Sequence, residues 1–380
     1  MRVPAAFRFA TLLLCLFLSA GCGDDDPGGP DGNGGVENEP PVIATLTVDP
    51  PILRPGERAV LECEATDADG DSLVYAWAGD AGTYPDSLNS GDRVRWVDQG
   101  AEGTVELWVT VSDGKGGSDS DTVSVDVIDG TLILQTRDGV TAMDFRGDGF
   151  VLNDATSPVE VLGTRIFYKG GSSITEIDHQ GNTVATTAIS GGDVSGHDWM
   201  IHPDGGFTFV SNSRDSIYSM GPDGVLLAAQ AMPDSSPDEL QNIDGVVVDG
   251  HLYISETGEN QLIDLDLTTL TATIFREIDP GGGWLGAIDY GNGAFSLGRS
   301  QKIHRFTAAG EVTDLCTLPE GNITGLATAG SYLFATVNHT GELYRIHSVT
   351  GEYAVLNDSL NYPQDVEFLP AVLDTGAVAP

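Results

Sequence analysis

Three aspartates at alternate positions of one short stretch are the residues of this chain best placed to bind a cation. Asp67, Asp69 and Asp71 lie within a run of small, polar and Gly residues. Ca²⁺ takes several carboxylate and carbonyl oxygens, which a tight loop of this kind can supply. The stretch lacks the Glu at the twelfth position that completes an EF-hand. It therefore predicts either a Ca²⁺ site or an acidic hairpin turn in which Asp and Gly serve the backbone geometry.

Three more aspartates, Asp198, Asp244 and Asp365, are far apart in the sequence and could act together only if the fold joins them. Oxygen ligands of this kind suit a divalent cation such as Ca²⁺ or Mg²⁺. Two neighbours add further chemistry: His197 is a candidate base and Trp284 a candidate stacking surface. The alternatives are hydrogen bonding within turns for the aspartates and simple packing for His197 and Trp284.

The element that would bring these residues together is a repeat that runs from Thr131 to about Ala371. A pattern of the form apolar–x–x–apolar recurs six times, about 34 to 45 residues apart. The six copies are Val140 to Met143, Ile174 to Ile177, Ile217 to Met220, Leu262 to Leu265, Ile303 to Phe306 and Leu343 to Ile346. This period is typical of four strands per blade of a β-propeller. The alternative is a β-sandwich whose self-similarity is accidental.

The two ends of the repeat predict how the ring closes. A lone strand pattern, Pro363 to Leu369, follows the sixth copy, while the first copy begins directly with Thr131 to Thr136 and lacks such a strand. Pairing these two segments builds one blade from both ends of the chain and removes unpaired sheet edges. We therefore predict six blades, with seven as the alternative.

The fourth copy, Asn242 to Asn260, resembles NHL-repeat and gluconolactonase-like six-bladed propellers. In those families an Asp-Gly pair opens the innermost strand of a blade at the mouth of the central channel. The matching positions here are Asp198, Asp244, Leu285, Thr324 and Asp365, with the second blade near Val159. The resemblance implies a channel mouth that binds Ca²⁺ or Mg²⁺, where the metal ion would polarise a lactone or ester carbonyl. It also implies a Glu on the first inner strand, where this chain has Gln364, so the metal set is incomplete.

Residues 42–128 predict a separate small β-sandwich, because six short strand patterns alternate with turn residues. Trp77 and the stretches Ala65 to Asp71 and Val111 to Gly117 resemble immunoglobulin-like and polycystic-kidney-disease-type modules. Cys63 has no partner in the later strands, so the antibody-type disulfide is absent. We expect Cys63 and Cys316 to be buried free thiols.

The N-terminus predicts export. Residues 1–21 combine basic residues with a short apolar core, and Leu18 to Cys22 resembles the bacterial lipoprotein signal, in which the cysteine is acylated. A plain secretory signal is the alternative. Residues 22–41 are acidic and rich in Gly and Pro, which predicts a disordered tether, and 372–380 predicts a disordered tail. The expected location is the bacterial cell envelope, lipid-anchored at the outer membrane through Cys22 and facing the periplasm or the surface.

The composition limits the partners. With 57 acidic and 17 basic residues the formal charge is −40, so nucleic acid is excluded as a partner and cations are attracted. No GxSxG, phosphate loop or HExxH motif is present. We therefore predict an all-β protein, an Ig-like sandwich followed by a propeller that binds an unknown protein, glycan or small ligand. The alternative is a lactonase- or esterase-like hydrolase that uses a divalent metal ion. Ca²⁺ is the one cofactor considered.

Overall fold

The computed structural model describes residues 38–85, 91–100, 102–191, 198–211, 216–233, 244–257, 260–278 and 285–370. Every regular element in these ranges is a β-strand. None of the described residues forms a helix long and apolar enough to cross a membrane. Cys22, His197 and Trp284 lie outside the described residues, as do the predicted signal and the tail at 372–380. Of Asp198 only the backbone is described.

The N-terminal domain is the predicted sandwich. Its strands are β1 (Val42–Asp49), β2 (Ile52–Leu53), β3 (Arg58–Thr66), β4 (Val74–Gly79), β5 (Arg93–Val97), β6 (Gly103–Ser112) and β7 (Ser118–Val127). One sheet has the order β1-β3-β5 and the other the order β2-β7-β6-β4. The short strand β2, which the sequence pattern did not predict, pairs in parallel with β7.

Alternating apolar side chains of these strands face each other and form the core of the sandwich. Trp77 and Trp96 are both buried, and each indole N–H donates to a backbone carbonyl, at Gly91 and Ala81 respectively, over 2.9 Å. A buried indole needs such an acceptor because an unpaired N–H would be costly. Cys63 is a buried free thiol in this core, as predicted.

The remaining strands form six four-stranded antiparallel sheets, the blades of a propeller. Blade one contains β8 (Thr131–Thr136), β9 (Gly139–Met143), β10 (Gly149–Asn153) and the last strand, β31 (Asp365–Leu369). Blade two contains β11 (Val159–Leu162), β12 (Arg165–Gly170), β13 (Ser173–Ile177) and β14 (Thr183–Ala188). Blade three contains β15 (Asp198–Ile201), β16 (Phe207–Ser211), β17 (Ser216–Met220) and β18 (Leu226–Ala231). Blade four contains β19 (Asp244–Val248), β20 (His251–Glu256), β21 (Gln261–Asp266) and β22 (Thr271–Glu277). Blade five contains β23 (Leu285–Gly291), β24 (Ala294–Arg299), β25 (Lys302–Phe306) and β26 (Thr313–Thr317). Blade six contains β27 (Ile323–Ala329), β28 (Tyr332–Val337), β29 (Glu342–His347) and β30 (Tyr353–Asn357).

The ring closes as the sequence predicted. Strand β31 is antiparallel to β8, with Asp365 opposite Gln135 and Leu369 opposite Thr131. The innermost strands contact one another in the order β31, β11, β15, β19, β23, β27 and back to β31. Six blades therefore surround one central channel, and the prediction of an all-β, six-bladed propeller after a sandwich is confirmed.

Neighbouring blades pack through six apolar clusters, which explains the repeat in the sequence. Strand β8 illustrates the pattern: Leu132 and Leu134 face blade six, while Ile133 faces blade two. Because both faces of β8 are covered, its three central side chains are apolar without alternation. The apolar pair of each repeat lies on the third strand from the channel, and Val140 and Met143 are both buried there.

A turn after the third strand fixes the distance between some neighbouring blades. In blade two the Asp178 carboxylate accepts hydrogen bonds from the backbone N–H groups of Gln180 and Asn182. Gly181 follows with φ 81° and lies against the outer strand of blade one, so that a Cβ there would overlap the Leu152 carbonyl oxygen. Only glycine suits both the left-handed backbone and this close approach.

The sandwich and the propeller share contacts within one compact unit, Glu39–Pro380. Ile52 of β2 joins the apolar cluster between blades one and six. Arg146 of blade one donates from both terminal nitrogens to Glu57, at 3.2 and 3.1 Å. Asp126 of β7 accepts the Ser331 backbone N–H of blade six. These contacts hold the sandwich directly against the ring.

Candidate functional site

The inner strands begin where the sequence alignment placed them. Asp198, Asp244, Leu285 and Asp365 are the first residues of β15, β19, β23 and β31. Strand β11 begins at Val159, which settles the position left uncertain for blade two, and β27 begins at Ile323, one residue before Thr324. The mouth of the channel therefore collects the ends of strands from all six blades.

The Asp244 carboxylate connects blades four and five. Its Oδ1 atom accepts the Gly245 backbone N–H at 2.8 Å, and its Oδ2 atom accepts the Ile288 backbone N–H at 2.9 Å. The Ser255 hydroxyl lies next to it and donates to the Gly286 carbonyl at 2.7 Å. Asp244 thus caps its own strand and pairs with the next one, which is the hydrogen-bonding role that the sequence left open beside metal binding.

Asp365 and the residue before it have a similar position in blade one. The Asp365 Oδ1 atom accepts the Val366 backbone N–H at 2.8 Å. Gln364 stands where the resembling family has a Glu, and its side-chain oxygen accepts a hydrogen bond from the buried Gln135 amide at 2.7 Å. An amide pair in this place links the closing strand to β8.

Three acidic residues that sequence reasoning missed lie beyond the mouth, within the inner strands. They are Glu160 of β11, Asp289 of β23 and Glu367 of β31. Each stands between apolar residues, as in Val366-Glu367-Phe368, and this pattern of one acid inside an apolar inner strand is the signal that could have found them. All three keep part of their surface open to solvent.

Burial and mutual repulsion shift the protonation of this group. The pKa of Glu367 is raised well above its ordinary value, first by burial and then by Asp365, Glu160, Asp244 and Asp289. Burial also raises the pKa of Asp289, although the Thr328 hydroxyl donates to its carboxylate and lowers the pKa in part. Desolvated carboxyls close to one another cannot all ionise without compensation.

Of the two predicted metal sites, the loop at Asp67 lies within the described residues, while the channel site lies there only in part. Carboxylate oxygens of Asp67, Asp69 and Asp71 lie within 4.8 Å of one another, and this is the one such group of three acidic, His or Cys residues in the described ranges. The channel carboxylates therefore do not converge in the same way among the side chains that are described. Because the side chains of Asp198, His197 and Trp284 are outside that set, the channel metal site stays a prediction.

The loop at Asp67 has features of a cation site and also of an acidic turn whose charge is balanced by a lysine. The Asp67 Oδ1 atom accepts the backbone N–H groups of Asp69 and Asp71, each at 3.0 Å, which is a turn stabilised by its own side chain. Lys115 places its ammonium nitrogen 2.5 Å from the Asp71 Oδ1 atom. The Oδ2 atoms of Asp67 and Asp71 are buried without a hydrogen-bond partner. The Ca²⁺ prediction thus has three converging carboxylates, and one of them is paired with a lysine.

Comparisons with known proteins agree with the N-terminal domain. Residues 38–126 match the Bacterial Ig domain family. The match covers the sandwich and leaves the propeller outside it. No curated protein sequence matches the chain.

Solved structures with a similar chain trace have low identity to this protein. A chain of a nidogen/laminin complex is 12% identical with a TM-score of 0.49, and the match covers 63% of this chain and 98% of that one. Catalytically inactive virginiamycin B lyase from Staphylococcus aureus, in complex with quinupristin, is 16% identical with a TM-score of 0.43, over 75% and 88% of the two chains. An auxiliary nutrient binding protein from Bacteroides thetaiotaomicron is 13% identical with a TM-score of 0.40, over 87% and 93%. The blade count rests on the strand pairing described above.

Proposed function

We propose that this protein is a lipoprotein of the bacterial cell envelope, anchored through Cys22, whose propeller is a binding module for a ligand outside the cytoplasm. The observation that carries the binding role is the closed ring of inner strands, in which acidic residues of four different blades are partly exposed: Glu367, Glu160, Asp244 and Asp289. Ligand sites are concave and display a few convergent polar groups, and a closed ring of strands provides such a site on a rigid frame.

The geometry supports binding better than lactone or ester hydrolysis. A metal-dependent hydrolase needs oxygen ligands gathered around one ion and a base positioned beside it. In the described part of the channel, Asp244 instead gives both carboxylate oxygens to backbone N–H groups at 2.8 and 2.9 Å. His202, although on an adjacent blade, is buried against Thr208 and does not supply such a base.

The anchor is supported by the resemblance of Leu18 to Cys22 to the lipoprotein signal and by the acidic segment that follows it. Replacing the acylated residue tests this part. In the native host, Cys22→Ser is expected to move the protein from the membrane fraction to the soluble fraction or to leave the precursor uncleaved. A variant that remained membrane-bound and labelled by a fatty-acid probe would overturn the anchor.

The binding role is tested on the purified protein without its lipid. A panel of glycans, peptides, amines and nutrient-sized molecules is screened by thermal shift, and saturable binders are confirmed by calorimetry. In parallel, lactone and ester substrates are incubated with and without Ca²⁺ or Mg²⁺. Saturable binding without turnover supports the module. Metal-dependent hydrolysis that is lost in Asp244→Asn would establish the hydrolase instead.

A further inference from the structure

The ring has one seam, which lies where the closing strand β31 meets β8. In five blades the four strands follow one another in the sequence, whereas blade one takes β31 from the far end of the chain. Five residue pairs join the two strands, from Asp365 opposite Gln135 to Leu369 opposite Thr131. Bringing two such distant segments together costs chain entropy, which the contacts at the seam must offset. We therefore expect the ring to open at this seam before it opens elsewhere.

The sandwich is fixed to blade one, on one side of the seam. It directly precedes β8 in the chain, and Glu57 accepts hydrogen bonds from both terminal nitrogens of Arg146, at 3.2 and 3.1 Å. Arg146 belongs to the turn between β9 and β10 of blade one. The same Glu57 carboxylate accepts the Arg54 backbone N–H at 3.0 Å, so it is itself held in a turn of the sandwich. A bidentate pair of this kind fixes orientation as well as distance.

The sandwich also contacts blade six, on the other side of the seam. The buried Asp126 carboxylate of β7 accepts the Ser331 backbone N–H at 2.5 Å, and Ser331 lies in the hairpin between β27 and β28. In the same hairpin, a Cβ added to Gly330 would lie 2.6 Å from both the Asp126 Oδ2 atom and the Ile128 Cδ1 atom. Gly293, in the corresponding hairpin of blade five, has nothing within 4 Å of such a Cβ. The hairpin of blade six is therefore fitted closely to the sandwich.

An apolar contact adds to these two polar ones. Ile52 of β2 is 1% exposed and belongs to the apolar cluster between blades one and six. That cluster contains Leu132, Phe334 and Val366, which come from blade one, blade six and the closing strand respectively. Its neighbour Leu53 is buried in the core of the sandwich instead. Because opening the seam would expose Ile52 to water along with the residues of the ring, the sandwich adds apolar burial that favours the closed ring.

We propose that the N-terminal sandwich is a strap that keeps the ring closed: it is fixed to blade one, crosses the seam and holds blade six. The strap acts at the end of the ring opposite to the mouth. Strands β27 and β9 both run away from the mouth, and they end shortly before Ser331 and Arg146 respectively. This role of the sandwich does not depend on which ligand the propeller binds.

The test is hydrogen exchange of the purified protein with both domains, followed by mass spectrometry on peptides of β8 and β31 and of β20 and β21 in blade four. Amide exchange reports the local opening of each region separately. Ile52→Ala is expected to accelerate exchange in β8 and β31 at least about tenfold and to leave blade four unchanged, because it removes buried contacts at the seam. Glu57→Gln, which leaves every apolar core intact and weakens the pair with Arg146, is expected to accelerate the same two strands to a smaller extent.

Two further variants of the sandwich are matched controls. Leu61→Ala removes as many carbon atoms as Ile52→Ala, but from the core of the sandwich. Glu62→Gln removes the same charge as Glu57→Gln, but from an exposed position of β3. Both are expected to leave exchange at the seam unchanged as long as β6 of the sandwich stays protected. If Leu61→Ala unfolds the sandwich and exposes β6, the seam is expected to open with it while blade four stays protected.

Three results would overturn the strap. Unchanged exchange of β8 and β31 in both Ile52→Ala and Glu57→Gln would show that the seam stays closed without these contacts. Equal acceleration in the seam and in blade four would show that the ring loses stability as a whole. Equal acceleration of the seam by Ile52→Ala and Leu61→Ala, with β6 still protected, would show a general effect of a weakened sandwich and not an effect of its contacts with the ring.

Discussion

His202 makes the stability of this protein depend on pH in a way that one substitution can isolate. The residue follows β15 and is 4% exposed, and its Nε2 atom lies 2.7 Å from the hydroxyl of the fully buried Thr208. Burial lowers the pKa of His202 to about 4, although Asp204, 3.9 Å from its Nδ1 atom, acts in the opposite direction. The folded protein therefore holds this imidazole neutral where the unfolded chain would protonate it.

The magnitude follows from the difference between the two states. In the unfolded chain the pKa of a histidine is about 6.5, so between about pH 6.5 and 4 the unfolded state binds the extra proton. Stability is then complete above about pH 6.5 and falls as the pH decreases towards 4. One pKa unit corresponds to about 1.4 kcal/mol, so the full loss is about 3 kcal/mol and the loss down to pH 5 is about 2 kcal/mol.

The assay compares the native protein with His202→Gln by urea unfolding at pH 7.5 and 5.0. The variant is expected to be less stable at pH 7.5, because it loses a fitted buried side chain, but to lose about 2 kcal/mol less on acidification. Other titratable groups are present in both proteins and cancel in the difference. Equal losses in the two proteins would refute the assignment of a buried neutral imidazole.

Two further perturbations test the ring itself. Gly181→Ala is expected to lower the free energy of unfolding by at least about 2 kcal/mol more than Gly163→Ala does. Both residues have positive φ, but only a Cβ at Gly181 meets the neighbouring backbone. Similar losses of stability in the two variants would contradict the blade-spacing role of the turn. Ending the chain before Asn361 is expected to abolish cooperative unfolding, since it exposes the edge of β8 and removes the buried Val366 and Leu369, about 4 kcal/mol of apolar burial. Deletion of 372–380 is the control, and a chain truncated at Asn361 that melted like this control would disprove closure by β31.

Periodicity predicted the propeller because the ring repeats one physical requirement six times. Each third strand must fill the space between two blades, so Val140, Ile174 and their counterparts are apolar at a fixed spacing. The closing strand was predictable for the same reason, because one blade lacked an inner strand and the chain ended with one. Val366 is fully buried, since it packs in the cluster between blades one and six. Cys316 is a free thiol as predicted but only half-buried, because it lies on the outermost strand of blade five.

The channel was less predictable because its residues are determined by ring geometry and not by local spacing. Asp244 was found through the Asp-Gly pair at its strand start, a local signal. Glu367, Glu160 and Asp289 share only the weak local pattern of one acid between apolar residues, and the closed ring is what brings their strands together. The junction at Arg146 and Glu57 was missed for the same reason, since those residues are 89 positions apart in the sequence.

The closing strand connects ligand binding in the channel to the integrity of the ring. Val366 belongs to the cluster between blades one and six, and the backbone of β31 pairs with β8 along its whole length. A ligand that binds only the folded state stabilises it in proportion to the logarithm of its free concentration relative to its dissociation constant. A channel ligand that contacts β31 would therefore stabilise the one blade that is assembled from both ends of the chain.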